Sequence, residues 1–163
     1  MHRTAVVKLR VSDEQRDALH RTAEQYLHCA NRTSEYCWDN TSYEKCRTHK
    51  RDVRDAIYAD LREETDLPAQ LVQAAIKRAV EAVKGVVERW KKGQRVSQPE
   101  FTAETMDYDL RSGTFCRQKA SLATVDGRVE LPFVGRRTVR RPTNGTCSRR
   151  ATSFARVRCG TTR

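Results

Sequence analysis

Between Pro68 and Gly93 the chain carries ten apolar residues at helical spacing: Leu71, Val72, Ala75, Ile76, Ala79, Val80, Val83, Val86, Val87 and Trp90. A repeat of about 3.6 residues places them on one face of a helix of about six turns. Burying one branched aliphatic side chain is worth about 1.5–3 kcal/mol, so this stripe must be covered. Its ends are marked too. The residue before a proline is driven out of helical geometry, and glycine supplies the left-handed turn that ends helices. Whatever else this chain does, it must build a layer against that helix.

Two further helices are expected upstream. Ser12 and Gln15 form a capping-box pattern, and the period then becomes helical. Leu19, Thr22, Ala23, Tyr26, Leu27, Ala30, Ser34, Cys37 and Trp38 share one face, so this helix should end near Asn40. The second helix is predicted over 42–65, capped by Ser42, with Val53, Ile57 and Leu61 as its stripe. On either side of the helices the period is two. Residues 4–11 alternate, with Val7, Leu9 and Val11 inward and Lys8 and Arg10 outward. Strands are predicted over 101–109, 115–124 and 128–134, with turns at 111–113 and at Asp126-Gly127. One strand, three helices and then a run of strands predicts an α+β fold, not alternating βαβ. The expected architecture is a small sheet or wedge-like barrel (1–11 and 99–134) interrupted by a three-helix insertion (12–95).

The charge is unevenly spread. Of 163 residues, 32 are Lys or Arg and 21 Asp or Glu, giving a net charge of +11. Residues 135–163 hold nine arginines and neither lysine nor acid, so residues 1–134 carry only +2. The 135–163 tail has no periodicity and is expected to be disordered, because it cannot bury enough surface to offset chain entropy. Arginine outnumbers lysine 24 to 8, as a GC-rich gene would produce. The abrupt change near residue 134 is therefore read as a frameshift, with a native basic arm as the rival reading.

No metal or catalytic motif emerges. The six cysteines form no C-x2-C or C-x4-C pair, and His28 and His49 complete no zinc set. With no secretory signal or membrane-spanning run, the thiols are expected to be free and the protein cytoplasmic. Asp13-Glu14, Glu63-Glu64 and Asp107/Asp109 lack a third ligand and read as solvated or capping carboxylates. The basic residues offer more. Lys8 and Arg10 share a strand face. Lys77, Lys84 and Lys91 recur every seven residues on the polar side of the third helix, extended by Arg89, Lys92 and Arg95. Such a stripe suits a phosphate backbone. Glu81 and Glu88 interleave with it, so a solvated face paired as Lys77–Glu81 and Lys84–Glu88 is the alternative.

One family has this order of elements. The segments Ala5-Val6-Val7-Lys8-Leu9, Ala30-Asn31 and Ala56-Ile57-Tyr58-Ala59-Asp60-Leu61-Arg62 carry the likeness, with Leu67-Pro68-Ala69-Gln70-Leu71. So do Gln73-Ala74-Ala75-Ile76, Glu81-Ala82 and Ser121-Leu122-Ala123-Thr124-Val125-Asp126-Gly127-Arg128-Val129. Together they resemble the N-terminal region of the TnpB-like (OrfB-type) transposon-encoded proteins, in their archaeal, haloarchaeal branch, over about residues 3–134. The resemblance implies that the strands form a wedge and the helices a recognition lobe, gripping a guide RNA and target DNA of a mobile element. Catalysis in that family belongs to a following RuvC-like nuclease domain, with an acidic triad and a four-cysteine zinc motif. This chain has neither, so it is expected to be a truncated, non-enzymatic remnant without metal or cofactor. Lys8, Arg10, Lys77, Lys84, Arg89, Lys91 and Lys92 are the expected nucleic-acid contacts. The competing expectation is a helical interaction or dimerisation module, with Trp38, Trp90 and Val83/Val86/Val87 as its interface. No oligomeric state is legible.

Overall fold

A computed structural model describes residues 7–116, 118–134 and 155–158. It contains the α-helices α1 (Asp13–Cys37), α2 (Lys50–Glu64) and α3 (Ala69–Lys91), and a short 3-10 helix (Tyr43–Lys45). The strands are β1 (Thr105–Tyr108), β2 (Gly113–Phe115), β3 (Lys119–Thr124), β4 (Gly127–Pro132) and β5 (Ala155–Arg158). This is an α+β arrangement, as the switch of period predicts.

Helix α3 is the centre of the packing. Nine of the ten stripe residues, Leu71 through Val87, are buried, and Trp90 is half-buried at the end. Helices α1 and α2 cover this face, and β1 also packs on α3. Beyond Lys92, Gly93 takes φ +77. Its amide donates to the Trp90 carbonyl (2.8 Å), and that of Gln94 donates to the Arg89 carbonyl (3.2 Å). This double closure satisfies carbonyls that a helix end leaves open.

Helix α1 begins as its sequence predicts. The Ser12 hydroxyl accepts from the Gln15 amide, and the Gln15 side chain accepts from the Ser12 amide. Its buried face carries several hydrogen-bonded polar groups. The Thr22 hydroxyl donates to the Ala18 carbonyl (2.6 Å) and accepts from the Val125 amide (3.1 Å). The Ser34 hydroxyl donates to the Pro99 carbonyl (2.6 Å). The Asn31 side chain donates to the Phe101 carbonyl (3.0 Å) and accepts from its amide (2.8 Å). A connection of nearly extended chain is thereby laced onto the helix.

Several boundaries differ from expectation. The second helix does not begin at Ser42. The Asp39 carboxylate accepts from the Thr41 amide (2.7 Å) and the Ser42 amide (3.0 Å), and the Ser42 hydroxyl accepts from Glu44 (3.2 Å). These local bonds compete with helix formation and hold a 3-10 turn, so α2 starts only at Lys50. The expected strand 101–109 shrinks to β1, because Phe101 is engaged by Asn31. The expected strand 115–124 is two strands, turned where the Cys116 amide donates to the Lys119 carbonyl (2.8 Å).

Strands β2, β3 and β4 form an antiparallel meander, closed at Asp126-Gly127 as predicted, with Gly127 at φ +113. Of the expected first strand, Leu9 forms a single antiparallel bridge to Phe133, with Arg10 donating to the Pro132 carbonyl (2.8 Å). Lys8 and Arg10 are exposed, with Leu9 and Val11 half-buried, as the alternation requires, but Val7 is 51% exposed instead of inward. Residues 1–6 lie outside the described residues. Among the described residues the strands form two separate sheets, β2–β3–β4 and β1–β5. The second corrects the expectation of a wholly disordered tail. Residues 155–158 pair antiparallel with β1, Met106 opposite Val157 and Asp107 opposite Arg156. The rest of 135–163 lies outside the described residues.

Two substitutions test this packing by urea unfolding. Leu71→Ala should cost about 2–5 kcal/mol, since Leu71 is fully buried in the core. Gly127→Ala meets no neighbouring atom but places a Cβ at positive φ, and should cost about 1 kcal/mol or more.

Candidate nucleic-acid interface

The seven expected contact residues fall into two groups. Lys8 and Arg10 lie beside the exit of β4, just before the α1 N-terminus. Arg89, Lys91 and Lys92 surround Trp90, which stacks on Trp38 at the other end of α1. The intervening helix has 25 residues, on the order of 35–40 Å. The structure therefore does not bring the two groups onto one patch.

The group at the end of α3 is the more developed. Lys84, Arg89 and Lys92 are exposed and, among the described residues, form no ion pair. Lys91 is drawn to Glu88 (3.1 Å), and Glu81 is taken by Lys50 across from α2 (2.7 Å). Glu88 is therefore not paired with Lys84 as the solvated-face reading expected. Arg89 and Lys91 also oppose the negative end of the α3 dipole. Lys77 is exposed farther back along the helix.

Beside these cations is an aromatic cluster. The Trp38 and Trp90 rings stack at 5.4 Å and 25°, and Tyr43 meets Trp90 edge-on at 6.1 Å. The two indoles are half-buried, and Tyr43 is 37% exposed. The Trp38 indole N–H donates to Asn40 (2.6 Å), which fixes the ring. Sequence reading left out two cations here, Lys45 in the 3-10 turn and Arg47. Arg47 lies 4.7 Å from the Tyr36 ring centroid and donates to the Tyr36 carbonyl (2.9 Å). Their signal was hidden because 42–65 was read as one helix, which would have carried them elsewhere.

Arg78 is a third residue missed. It flanks the apolar stripe, three residues after Ala75 and four before Ala82, and turns inward. Its guanidinium donates to the Thr105 carbonyl (2.5 Å) and hydroxyl (2.8 Å), over the rings of Phe101 (5.2 Å) and Tyr26 (5.9 Å). It is a structural tie between α3 and β1. Among the described residues the Tyr26 hydroxyl beneath it has no hydrogen-bond partner, though it is buried. Burial, and secondarily the charge of Asp107, push that phenol up to about 12.

The acidic pairs do what carboxylates do at surfaces and turns. Asp13 pairs with Arg16 (3.3 Å), and Glu64 receives His28 (2.9 Å) and Arg32 (3.7 Å). Asp109 accepts from the amides of Arg111 (2.9 Å) and Ser112 (2.8 Å). Among the described residues no group of three His, Cys, Asp or Glu side chains is arranged to hold a metal ion. Cys29, Cys37 and Cys46 are free, buried thiols and Cys116 is half-buried; Cys147 and Cys159 lie outside the described residues.

The interface expected of an interaction module is consumed internally. Val83, Val86 and Val87 are buried within the chain, and the indoles spend much of their surface on each other. Among the described residues, no helix is long and apolar enough to cross a membrane. Comparison with protein-family models, curated proteins and solved structures gives no match.

The buried thiols set a pH limit on this end of the molecule. Burial pushes Cys37 up to about 11, Cys46 adding to the rise and Arg47 opposing it. In the unfolded chain a thiol ionises near about 8.5, so above that pH the unfolded state holds fewer protons than the folded. Stability should be full below that value and fall as pH rises toward about 11, by about 1–3 kcal/mol from Cys37. Urea midpoints at alkaline and neutral pH check this, and Cys37→Ala should flatten the decline.

Proposed function

We propose that the chain is a nucleic-acid-recognition module of the kind that forms the N-terminal region of TnpB-like transposon proteins. In this reading it works in the cytoplasm, its helices acting as a recognition lobe and its two sheets as a wedge-like support. It holds an RNA or DNA strand by its phosphates and performs no cleavage itself. The observation that carries the reading is the set of exposed cations Lys84, Arg89 and Lys92, unpaired among the described residues, on the part of α3 that ends at the Trp38–Trp90 stack.

The physics favours a single strand at this place. Phosphates can follow the cations, each neutralised contact releasing counterions. The exposed edges of Trp38, Trp90 and Tyr43 offer surfaces on which bases stack without regard to sequence, at about 1–3 kcal/mol per base. Lys45 and Arg47 extend the positive rim. Lys8 and Arg10, a helix length away, form a second and independent contact to the same strand.

Binding of a labelled single-stranded RNA to the full chain, followed by anisotropy between 50 and 300 mM salt, tests this (concentrations on the order of those over which such binding weakens strongly). The combined change Lys84→Glu, Arg89→Glu, Lys92→Glu should reduce the slope of log K against log salt by about 2. Lys8→Glu with Arg10→Glu should reduce it by about 1, additively, because the groups are far apart. The nine arginines of 135–163 give the same background in every variant. An unchanged slope in the triple variant would remove the α3 end as a nucleic-acid surface.

A further inference from the structure

The last carbonyl of α1 finds its partner beyond the 3-10 turn. The Cys37 carbonyl accepts from the Arg47 amide (2.8 Å), which draws the chain at Cys46 back against the end of the helix. A Cα lies about 2.4 Å from its own carbonyl oxygen and about the same from the next residue's nitrogen. This bond therefore sets the Cα atoms of Cys37 and Cys46 about 5–7 Å apart, against the span of about 4.4–6.8 Å found across disulfides. Both side chains face one buried cluster, Cys37 fully enclosed and Cys46 9% exposed. A charge on Cys46 adds to the rise of the Cys37 pKa, as it does between close neighbours.

The other described thiols lie elsewhere. Cys29 is eight residues back along α1, about 12 Å, and its sulfur contacts the Thr65 hydroxyl (3.8 Å). Cys116 sits at the turn between β2 and β3. Cys37 and Cys46 are themselves unlike. The Cys46 sulfur accepts from the Asp39 amide (3.4 Å) and approaches the carbonyls of Asp39 and Ser42 (3.7 Å each) along the inner side of the loop. The Cys37 thiol, pushed up to about 11 chiefly by burial, keeps its proton at neutral pH. The residual exposure at Cys46 makes it the sulfur that a small reagent reaches first.

We propose that Cys37 and Cys46 form a reversible redox pair, which a peroxide closes into a disulfide that fastens the 38–45 loop to the end of α1. First the Cys46 sulfur attacks one peroxide oxygen, the O–O bond breaks, and the Cys46 proton leaves with the departing oxygen as water. That leaves a sulfenic acid on Cys46. The Cys37 sulfur then attacks the Cys46 sulfur, the S–O bond breaks, and the Cys37 proton leaves with the hydroxyl as a second water. The two electrons given up by the sulfurs reduce the peroxide. The loop carries Trp38, Tyr43 and Lys45, so closure pins the aromatic cluster. The chemistry itself does not depend on the nucleic-acid reading.

The test treats the full chain with hydrogen peroxide in the absence of denaturant. The protein should lose about 2 Da, two hydrogens, and digestion should release peptides joined through Cys37 and Cys46, which dithiothreitol separates. The bridged form should have a higher urea midpoint than the reduced form, because the closed loop restricts the unfolded chain. In Cys37→Ala, dimedone should trap the sulfenic acid at Cys46. A bridge to another cysteine in place of this one, a bridge that forms only once urea is present, or a lower urea midpoint on closure would overturn the proposal. So would dimedone labelling of Cys37 in Cys46→Ala with none of Cys46 in Cys37→Ala.

Discussion

Burial of one helix face organises this molecule. The apolar side of α3 needs cover along nearly its whole length, and no single neighbour supplies it. Helix α1 covers most of it, α2 another part, and β1 a third, with the 3-10 turn closing the Trp90 end. Each neighbour must then satisfy its own backbone and polar groups, which explains the threonine, serine and asparagine on the inner face of α1. The small sheets follow from this order: they attach where α1 offers a hydroxyl and where Arg78 reaches across to Thr105.

Elements whose cause is local and periodic were legible in the sequence. The α3 stripe, the Ser12–Gln15 cap, the Gly93 stop and the Asp126-Gly127 hairpin each rest on residues within a few positions of one another. Elements whose cause is a distant partner were not. Residues 38–49 look helical by pattern, yet Asp39 uses its carboxylate on nearby amides and Cys46 settles against the Asp39 amide (3.4 Å). The start of the expected strand 101–109 alternates like a strand, but Phe101 bonds to Asn31 of α1 instead. Residues 155–158 have no inward period of their own, and their order depends on a strand fifty residues away in sequence, at Asp107.

The same distinction runs through the candidate site. Charge and helical face identified Lys84, Arg89 and Lys92 correctly as exposed cations. Their setting, beside stacked indoles and next to Lys45 and Arg47, depends on a loop conformation that no periodicity encodes. Glu81 also reaches Lys50, a contact between two helices that the spacing within one helix does not announce. That contact links α2 to α3.

The lacing of residues 99–101 onto α1 has a consequence for how this chain can vary. Ser34 and Asn31 are three residues apart on a helix, a rise of about 4.5 Å, and they hold Pro99 and Phe101, two residues apart on extended chain, a span of about 6.6 Å. The two spans differ by about 2 Å, which the side chains take up over this short distance. The segment thus behaves as a strap cut to length: one residue added between the anchors would leave Asn31 or Ser34 facing the wrong group. A stretch that looks like an ordinary surface connection is therefore as intolerant of insertion as the interior of a strand.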